Sequence, residues 1–391
     1  MTRPKKSIGI YLSAKPNYGG TYQYSMSIID AISADQGRKY NVACYYSDPE
    51  WEPLIPDYFN KNLVVNSKLS EYILKIIGKL FPYLNGRVYA KFLSNIVKNI
   101  NSSNCELFIY PSQDKYSYQA SKKSICSIHD LMHRYEPEYA EYSFMERYRR
   151  DIHYSAICKY SKIILVDSKI GLEHVVNSYK VDIDNIKILK FVSPNYLLNL
   201  KEEDVILKYG LESKYIFYPA QFWEHKNHIN LLKSIKILKE RGLNVNLVLV
   251  GSQKNNYKKV LLQIKDLGIS ENVRILGYIS NSELLSLYRN AIGMVFVSFL
   301  GPTNIPPMES MVTGCPLICS DAYAMPEQVG DAGLLINPRD PFDIANKIEK
   351  IWNDAELRKE LSKLGEERSK EYSLVNFRFN LMEYINIALG K

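Results

Sequence analysis

The sequence predicts an α/β protein built of two doubly wound domains, each a parallel sheet with helices on both faces. Three observations predict it. Short apolar runs alternate with helix-period segments through both halves of the chain, the pattern of repeated strand–helix–strand units. The 391 residues suffice for two domains of ordinary size. The pattern breaks at residues 191–200, around Pro194 and Asn195, and then restarts with a strand. Residues 1–198 and the chain from 199 onward are the expected domains.

In the first half, Ser7–Leu12 (SIGIYL) reads as a buried strand. Asn17-Tyr18-Gly19-Gly20 follows, and Thr21 opens a helix with Met26, Ile28, Ile29 and Ile32 at apolar positions. A strand, a glycine loop and a helix can bind an anion through backbone N–H groups. The same glycines also fit a plain turn, and without G-x-G-x-x-G a dinucleotide site is not supported. Residues 41–46 form the second strand. Pro82 and Gly86 split residues 68–100 into two helices. In the first, Ile73, Ile76, Ile77 and Leu80 make an apolar face, with Lys68, Lys75 and Lys79 off it. That face fits a membrane surface held by anionic lipid, and it equally fits a core-packed helix with a solvated basic side.

Residues 106–110 and 124–128 are strands, the second leading into His129-Asp130. Ligands gather at the carboxyl ends of parallel strands. His129 can donate there to a sugar hydroxyl, or serve structurally while Asp130 caps the next turn. His129 and His133 lack the glutamate of a zinc-protease motif. A basic helix (143–160), a strand (163–166), a helix (169–179) and a strand (186–189) complete this half.

The second half opens with a strand at 215–219. The loop AQFWEHKN (220–227) leads to a helix with Leu231, Leu232, Ile235 and Leu238 on one face. A further strand is expected at 246–251, with helices at 257–267 and after a Ser282 cap. The stretch GMVFVSFLGPTNIPPMESMVTGCPLICSD (293–321) organises the rest. Its apolar start is a buried strand, and its Gly- and Pro-rich middle is a loop. Pro306 and Pro307 fit the first turn of a helix that Gly314 ends. Such a helix start presents unpaired N–H groups and the positive end of a dipole, a ready anion site. Glu309, about one turn in, can accept hydrogen bonds from a pair of sugar hydroxyls. A strand (334–336) and helices at 341–352, 354–371 and 373–389 follow.

Composition narrows the function. Hydrophobic content of 46% and charged content of 24% are globular values. The net charge of +8, from 50 basic and 42 acidic residues, suits an anionic substrate or lipid surface. No nucleic-acid-binding motif accompanies it, so nucleic acid is not an expected partner. The six cysteines show no disulfide-like spacing and read as buried free thiols, which points to a reducing compartment. The basic N-terminus does not read as a signal peptide. No apolar run approaches the ~20 residues that span a bilayer. A cytoplasmic location, at most on the inner membrane face, is expected.

The 293–321 stretch resembles the signature of the retaining glycosyltransferases of family 4, roughly S-x-x-E-G-F-G-L-P-P-x-E-A-x-A-x-G-x-P-V with glutamates spaced E-x7-E. Ser298 fits its first position, Ile305 to Glu309 its middle and Gly314 to Ile318 its end. Gly301 stands in place of the first glutamate. The version G-P-T-N-I-P-P-x-E is similar to that of members that build bacterial surface polysaccharides. Other segments resemble the family too, strongly over 215–338 and more weakly before 124. Gly19-Gly20 is similar to a glycine loop that contacts the donor diphosphate, and His129-Asp130 to an H-D motif whose His approaches the donor sugar. Loop 220–227 resembles G-R-L-x-x-x-K-N. Lys226 there takes the place of the lysine on the donor phosphates, and Gln221 that of the usual arginine. Gly277, Tyr278 and Ile279 match a segment whose backbone contacts the nucleotide base.

The resemblance implies a GT-B fold, two Rossmann-like domains facing each other across a cleft. Residues 1–198 with helix 373–391 would form the acceptor side, and 199–372 the nucleotide-sugar domain. The implied reaction moves a hexose, with mannose favoured, from a nucleotide-diphospho-sugar to a saccharide or lipid-linked oligosaccharide. A GDP-sugar is the favoured donor. His129, Lys226 and Glu309 would be the catalytic residues. Thr303, Asn304, Ile305 and Pro306 would meet the sugar and phosphates, and Glu309 the ribose. No cofactor is implied. The positive shell around the diphosphate would make a metal unnecessary, and no D-x-D motif ends a strand. The missing glutamate leaves two other readings open: a catalytically weak partner subunit that binds a sugar nucleotide, and a nucleotide-sugar 2-epimerase of the same architecture.

Overall fold

Short apolar strands buried on both faces need helices on both sides, and the computed structural model has that arrangement twice. It describes residues 5–16, 19–34, 39–81, 86–139, 142–301 and 303–390. Asn17, Tyr18, Pro82 and Pro302, named above, lie outside them. The chain divides into two units, one of Met1–Val192 with Leu374–Lys391, the other of Ser193–Ser373.

The first unit carries β1 (Ser7–Leu12), β2 (Asn41–Tyr46), β3 (Asn60–Leu63), β4 (Leu107–Tyr110), β5 (Lys123–Ser127), β6 (Ile163–Val166) and β7 (Ile186–Ile188). Their order is β3-β2-β1-β4-β5-β6-β7, parallel throughout. Side-chain alternation along β1 separates two layers. Ile8, Ile10 and Leu12 pack with Ile28 and Ile32 of helix Gly19–Ser33 and with Phe377, Leu381 and Ile385 of helix Leu374–Leu389. Tyr11 turns to the other layer with Phe108 and Tyr110. Gly9 has no room for a side chain: a Cβ there would lie 2.3 Å from the Phe108 ring.

The second unit carries β8 (Ile216–Pro219), β9 (Leu247–Val250), β10 (Val273–Ile275), β11 (Gly293–Phe296), β12 (Leu317–Ser320) and β13 (Gly333–Ile336). Their order, β10-β9-β8-β11-β12-β13, is again all parallel. Relative to the first strand of the unit this is the 3-2-1-4-5-6 order of a Rossmann sheet.

Several expectations need correction. β3, sequence NKNL, went unread because it is a polar edge strand with no buried residue. Helix Gly19–Ser33 begins at Gly19, two residues before Thr21, so the paired glycines form its first turn. Residues 68–100 make three helices, Lys68–Leu80, Arg87–Leu93 and Asn95–Ser102, because Ser94 interrupts the chain as a cap. The cap of helix Asn281–Asn290 is Ser280, in a reciprocal box with Glu283. Helix Ala355–Lys370 is charged yet buries Leu361 and Gly365, and a Cβ on Gly365 would lie 3.3 Å from the Met311 backbone. Five of the six cysteines are buried and all are free. No described helix is long and apolar enough to cross a membrane.

Candidate active site

The loops at the carboxyl ends of β8 and β11, the switch point of the second sheet, hold most of the expected site. After β8 the chain makes a 3-10 turn, Glu224–Lys226, closed by Asn227 in the left-handed region at φ 58°. Asn227 is buried, and its amide donates to Val297 O at 2.9 Å and to Pro338 O at 2.7 Å. Tyr218 Oη donates to Lys226 O at 2.6 Å. With its backbone held this way, Lys226 points Nζ at Asn304 Oδ1, 3.1 Å away, and Ser298 Oγ, 3.4 Å away. The ammonium also lies 5.3 Å from the centre of the Phe296 ring, a favourable cation–π position.

Asn304 heads helix Ile305–Val312. Gln328 grips it on both sides of the backbone: Asn304 N donates to Gln328 Oε1 at 3.0 Å, and Gln328 Nε2 donates to Asn304 O at 2.6 Å. This changes what the helix start can offer. The Asn304 N–H is spent on Gln328, and Pro306 and Pro307 have no N–H. Of residues 304–307 this leaves the Ile305 N–H, fewer donors than a helix start ordinarily presents. An anion placed here would meet chiefly the Lys226 ammonium and the helix dipole. Thr303, half-buried, precedes Asn304.

Glu309 lies one turn further in and is buried. Tyr288 Oη donates to Glu309 Oε2 at 2.9 Å and sits 3.3 Å from Pro306 O. Burial pushes the Glu309 carboxyl up to about 7, and the Tyr288 hydrogen bond opposes the rise.

Gly277 lies beyond the end of β10 with φ 72°, and its carbonyl accepts from Gly251 N at 3.0 Å. Gly251 must be glycine, since a Cβ would lie 2.3 Å from Ala220 O. β10 ends at Ile275, so residues 277–279 lie in the loop after it, with Tyr278 86% exposed and Ile279 buried. Gln221 accepts from Trp223 Nε1 at 2.9 Å through its side-chain oxygen.

The remaining expected residues belong to the first unit. His129 follows β5, and its Nε2 lies 2.9 Å from Pro111 O, so that nitrogen carries the proton. The Tyr24 ring meets it edge-on at 4.9 Å. Burial holds the imidazole below its ordinary pKa. Asp130 Oδ1 accepts from Met132 N at 3.1 Å, the capping role weighed from sequence. Gly19 takes φ +77° at the start of its helix with open space at its Cβ position, and Gly20 follows it in the helix.

Two residues that shape the site, Tyr288 and Gln328, were not singled out by motif, and Asn227 ends the G-R-L-x-x-x-K-N match without its hydrogen bonds being legible there. Each acts across at least 21 residues of sequence through a hydrogen bond, which leaves no periodicity to detect.

Residues 201–368 match the family described as Glycosyl transferases group 1. The chain has the GT-B fold and carries a glycosyltransferase domain. It is 28% identical over 275 residues to O-antigen chain mannosyltransferase B of Escherichia coli, covering 69% of this chain and 71% of that one. It is 25% identical over 245 residues to O-antigen chain mannosyltransferase RfbU of Salmonella typhimurium, covering 60% and 64%. The matched region thus spans about two thirds of these relatives. The solved complex of Anabaena HepE with UDP-glucose aligns over 97% of this chain and 99% of HepE, with a TM-score of 0.73 and 15% identity. That likeness concerns the fold.

Proposed function

We propose that this chain is a retaining, metal-independent hexosyltransferase that acts in the synthesis of a bacterial surface polysaccharide, O-antigen or capsule. The donor is a nucleotide-diphospho-sugar, with GDP-mannose favoured by the mannosyltransferase relatives. The acceptor is a saccharide or lipid-linked oligosaccharide. The observation that carries this reading is the Lys226 ammonium held at Asn304, the first residue of a helix at a sheet switch point.

The barrier to transfer lies in breaking the bond from the sugar anomeric carbon to the phosphate oxygen, which leaves positive charge on the sugar and negative charge on the diphosphate. Fixed positive groups aimed at the leaving oxygens lower that barrier most. In this reading Lys226, the Ile305 N–H and the helix dipole meet the diphosphate, with Gly19 and Gly20 supplying backbone contacts. Thr303 and Asn304 reach the sugar side. Glu309 accepts from the ribose hydroxyls, and residues 277–279 line the base. His129 contacts the donor sugar through the ring nitrogen left free by Pro111.

The exposed apolar residues of helix Lys68–Leu80 fit contact with an anionic membrane, where a lipid-linked acceptor would reside. Leu69, Tyr72 and Leu80 are each more than 60% exposed, and Lys68, Lys75 and Lys79 lie on the same helix. In this reading the enzyme works at the cytoplasmic face of the membrane.

The test is a panel of GDP-, UDP- and dTDP-sugars assayed for thermal stabilisation and slow donor hydrolysis, with and without EDTA. One nucleotide class should stabilise the protein and be hydrolysed, and Lys226→Ala should abolish both. Retention is read from the anomeric configuration of the product. A protein that binds a sugar nucleotide but never turns it over would instead be a partner subunit.

A further inference from the structure

Gly301 stands where the resemblance leads one to expect a glutamate, and the structure shows what fills the space. Gly301 has φ +113°, and a Cβ built on it would lie 2.4 Å from Asn304 Nδ2. The side chain three residues on therefore occupies the place where a side chain at 301 would begin. Asn304 cannot easily move aside, because Gln328 holds its N–H and its carbonyl at 3.0 and 2.6 Å. Its amide has a set orientation. Nδ2 faces Leu300 O at 3.4 Å, which turns Oδ1 towards Lys226 Nζ at 3.1 Å.

We propose that Asn304 is the positioning residue for Lys226, and that Gly301 is glycine to make room for it. The inference rests on the reading of Lys226 as the ligand of the donor diphosphate. A carboxylate at this distance would attract the ammonium and repel the phosphates that it is meant to hold. A neutral amide oxygen orients the same ammonium and leaves its charge to the donor.

The decisive variant is Asn304→Asp, which keeps the shape and adds the charge, combined with Lys226→Met in a double-mutant cycle. GDP and UDP are the probes, with affinity measured by calorimetry at two ionic strengths and folding checked by circular dichroism. Asn304→Asp should weaken the nucleotide that binds by tenfold or more and flatten its salt dependence. In the Lys226→Met background the same change should have little further effect. An equal loss in both backgrounds, or no loss beside Lys226, overturns the inference. Should neither nucleotide bind the wild-type protein, the donor reading fails, and thermal unfolding of the four proteins decides the contact. Melting shifts that are not additive between positions 226 and 304 support positioning, and additive shifts overturn it. Gly301→Ala should lower the melting temperature, and Asn304→Ala should recover part of that loss. No recovery would refute the assigned role of Gly301.

Discussion

Tyr288 donates its hydroxyl to Glu309 Oε2 at 2.9 Å, with both side chains buried in the second unit. Burial raises the carboxyl from its ordinary 4.5 to about 7, a rise that the Tyr288 hydrogen bond only partly offsets. A carboxyl whose pKa is raised on folding favours the folded state at low pH and loses that contribution as pH rises through the folded value. The shift corresponds to about 3 kcal/mol. Glu309→Gln should therefore gain stability relative to wild type between pH 5 and pH 8, as read from urea unfolding at the two values.

The same titration should appear in ligand binding. If the Glu309 carboxylate accepts from ribose hydroxyls, nucleotide affinity rises with pH up to about 7 and then levels. Glu309→Gln should bind more weakly with a flat profile. Tyr288→Phe removes the hydrogen bond that lowers the carboxyl pKa, so its affinity midpoint should move to higher pH. Calorimetry from pH 5.5 to 8.5 would show this, and an unmoved midpoint would argue against the pairing.

Lys226 carries the charge of the proposed phosphate site. Hydrogen bonds to charged groups contribute about 1.5–3 kcal/mol, so Lys226→Ala should weaken nucleoside diphosphate binding roughly ten- to hundredfold. The corresponding nucleoside, which lacks phosphates, should lose far less. Equal losses for both would mean that the lysine acts on the fold and not on the diphosphate.

Gln328 is the clamp on the helix start. It is 2% exposed and makes both backbone hydrogen bonds to Asn304. Gln328→Leu keeps much of the volume and leaves two backbone groups unpaired, which should cost about 1–3 kcal/mol in chemical denaturation. Nucleotide binding should fall with it, because Asn304 would no longer hold Lys226 in place.

In helix Lys68–Leu80 Leu74 packs against the core, whereas Leu69, Tyr72, Ile76 and Leu80 are exposed and add little to folding. Replacing Leu69, Tyr72, Ile76 and Leu80 together by serine should leave the melting temperature within a few degrees of wild type. Flotation with phosphatidylglycerol vesicles should fall sharply, whereas neutral vesicles should bind neither protein well. Unchanged flotation would remove the membrane contact from the functional reading.

The architecture was legible because its signals are local. Buried runs such as IGIYL and LVLV, helix caps and Gly–Pro loops each act within a few residues, and two repeats of one pattern implied two sheets. The polar strand Asn60–Leu63 was not legible, since an edge strand is defined by its neighbour and not by apolar content. The start of helix Gly19–Ser33 was misjudged because glycine is a poor helix former, a preference that tertiary packing overrides.

The sequence by itself determined the doubly wound halves and the switch-point loops, because strand, turn and helix preferences are encoded over short spans, while the choice of Lys226, Asn304 and Glu309 rested on a resemblance to a family motif. Only the tertiary structure decided how those residues are held. Lys226 meets Asn304 across 78 residues, Gln328 grips Asn304 across 24, and Tyr288 reaches Glu309 across 21. Side-chain hydrogen bonds of this kind depend on distances that exist only once the sheet has brought its strand ends together.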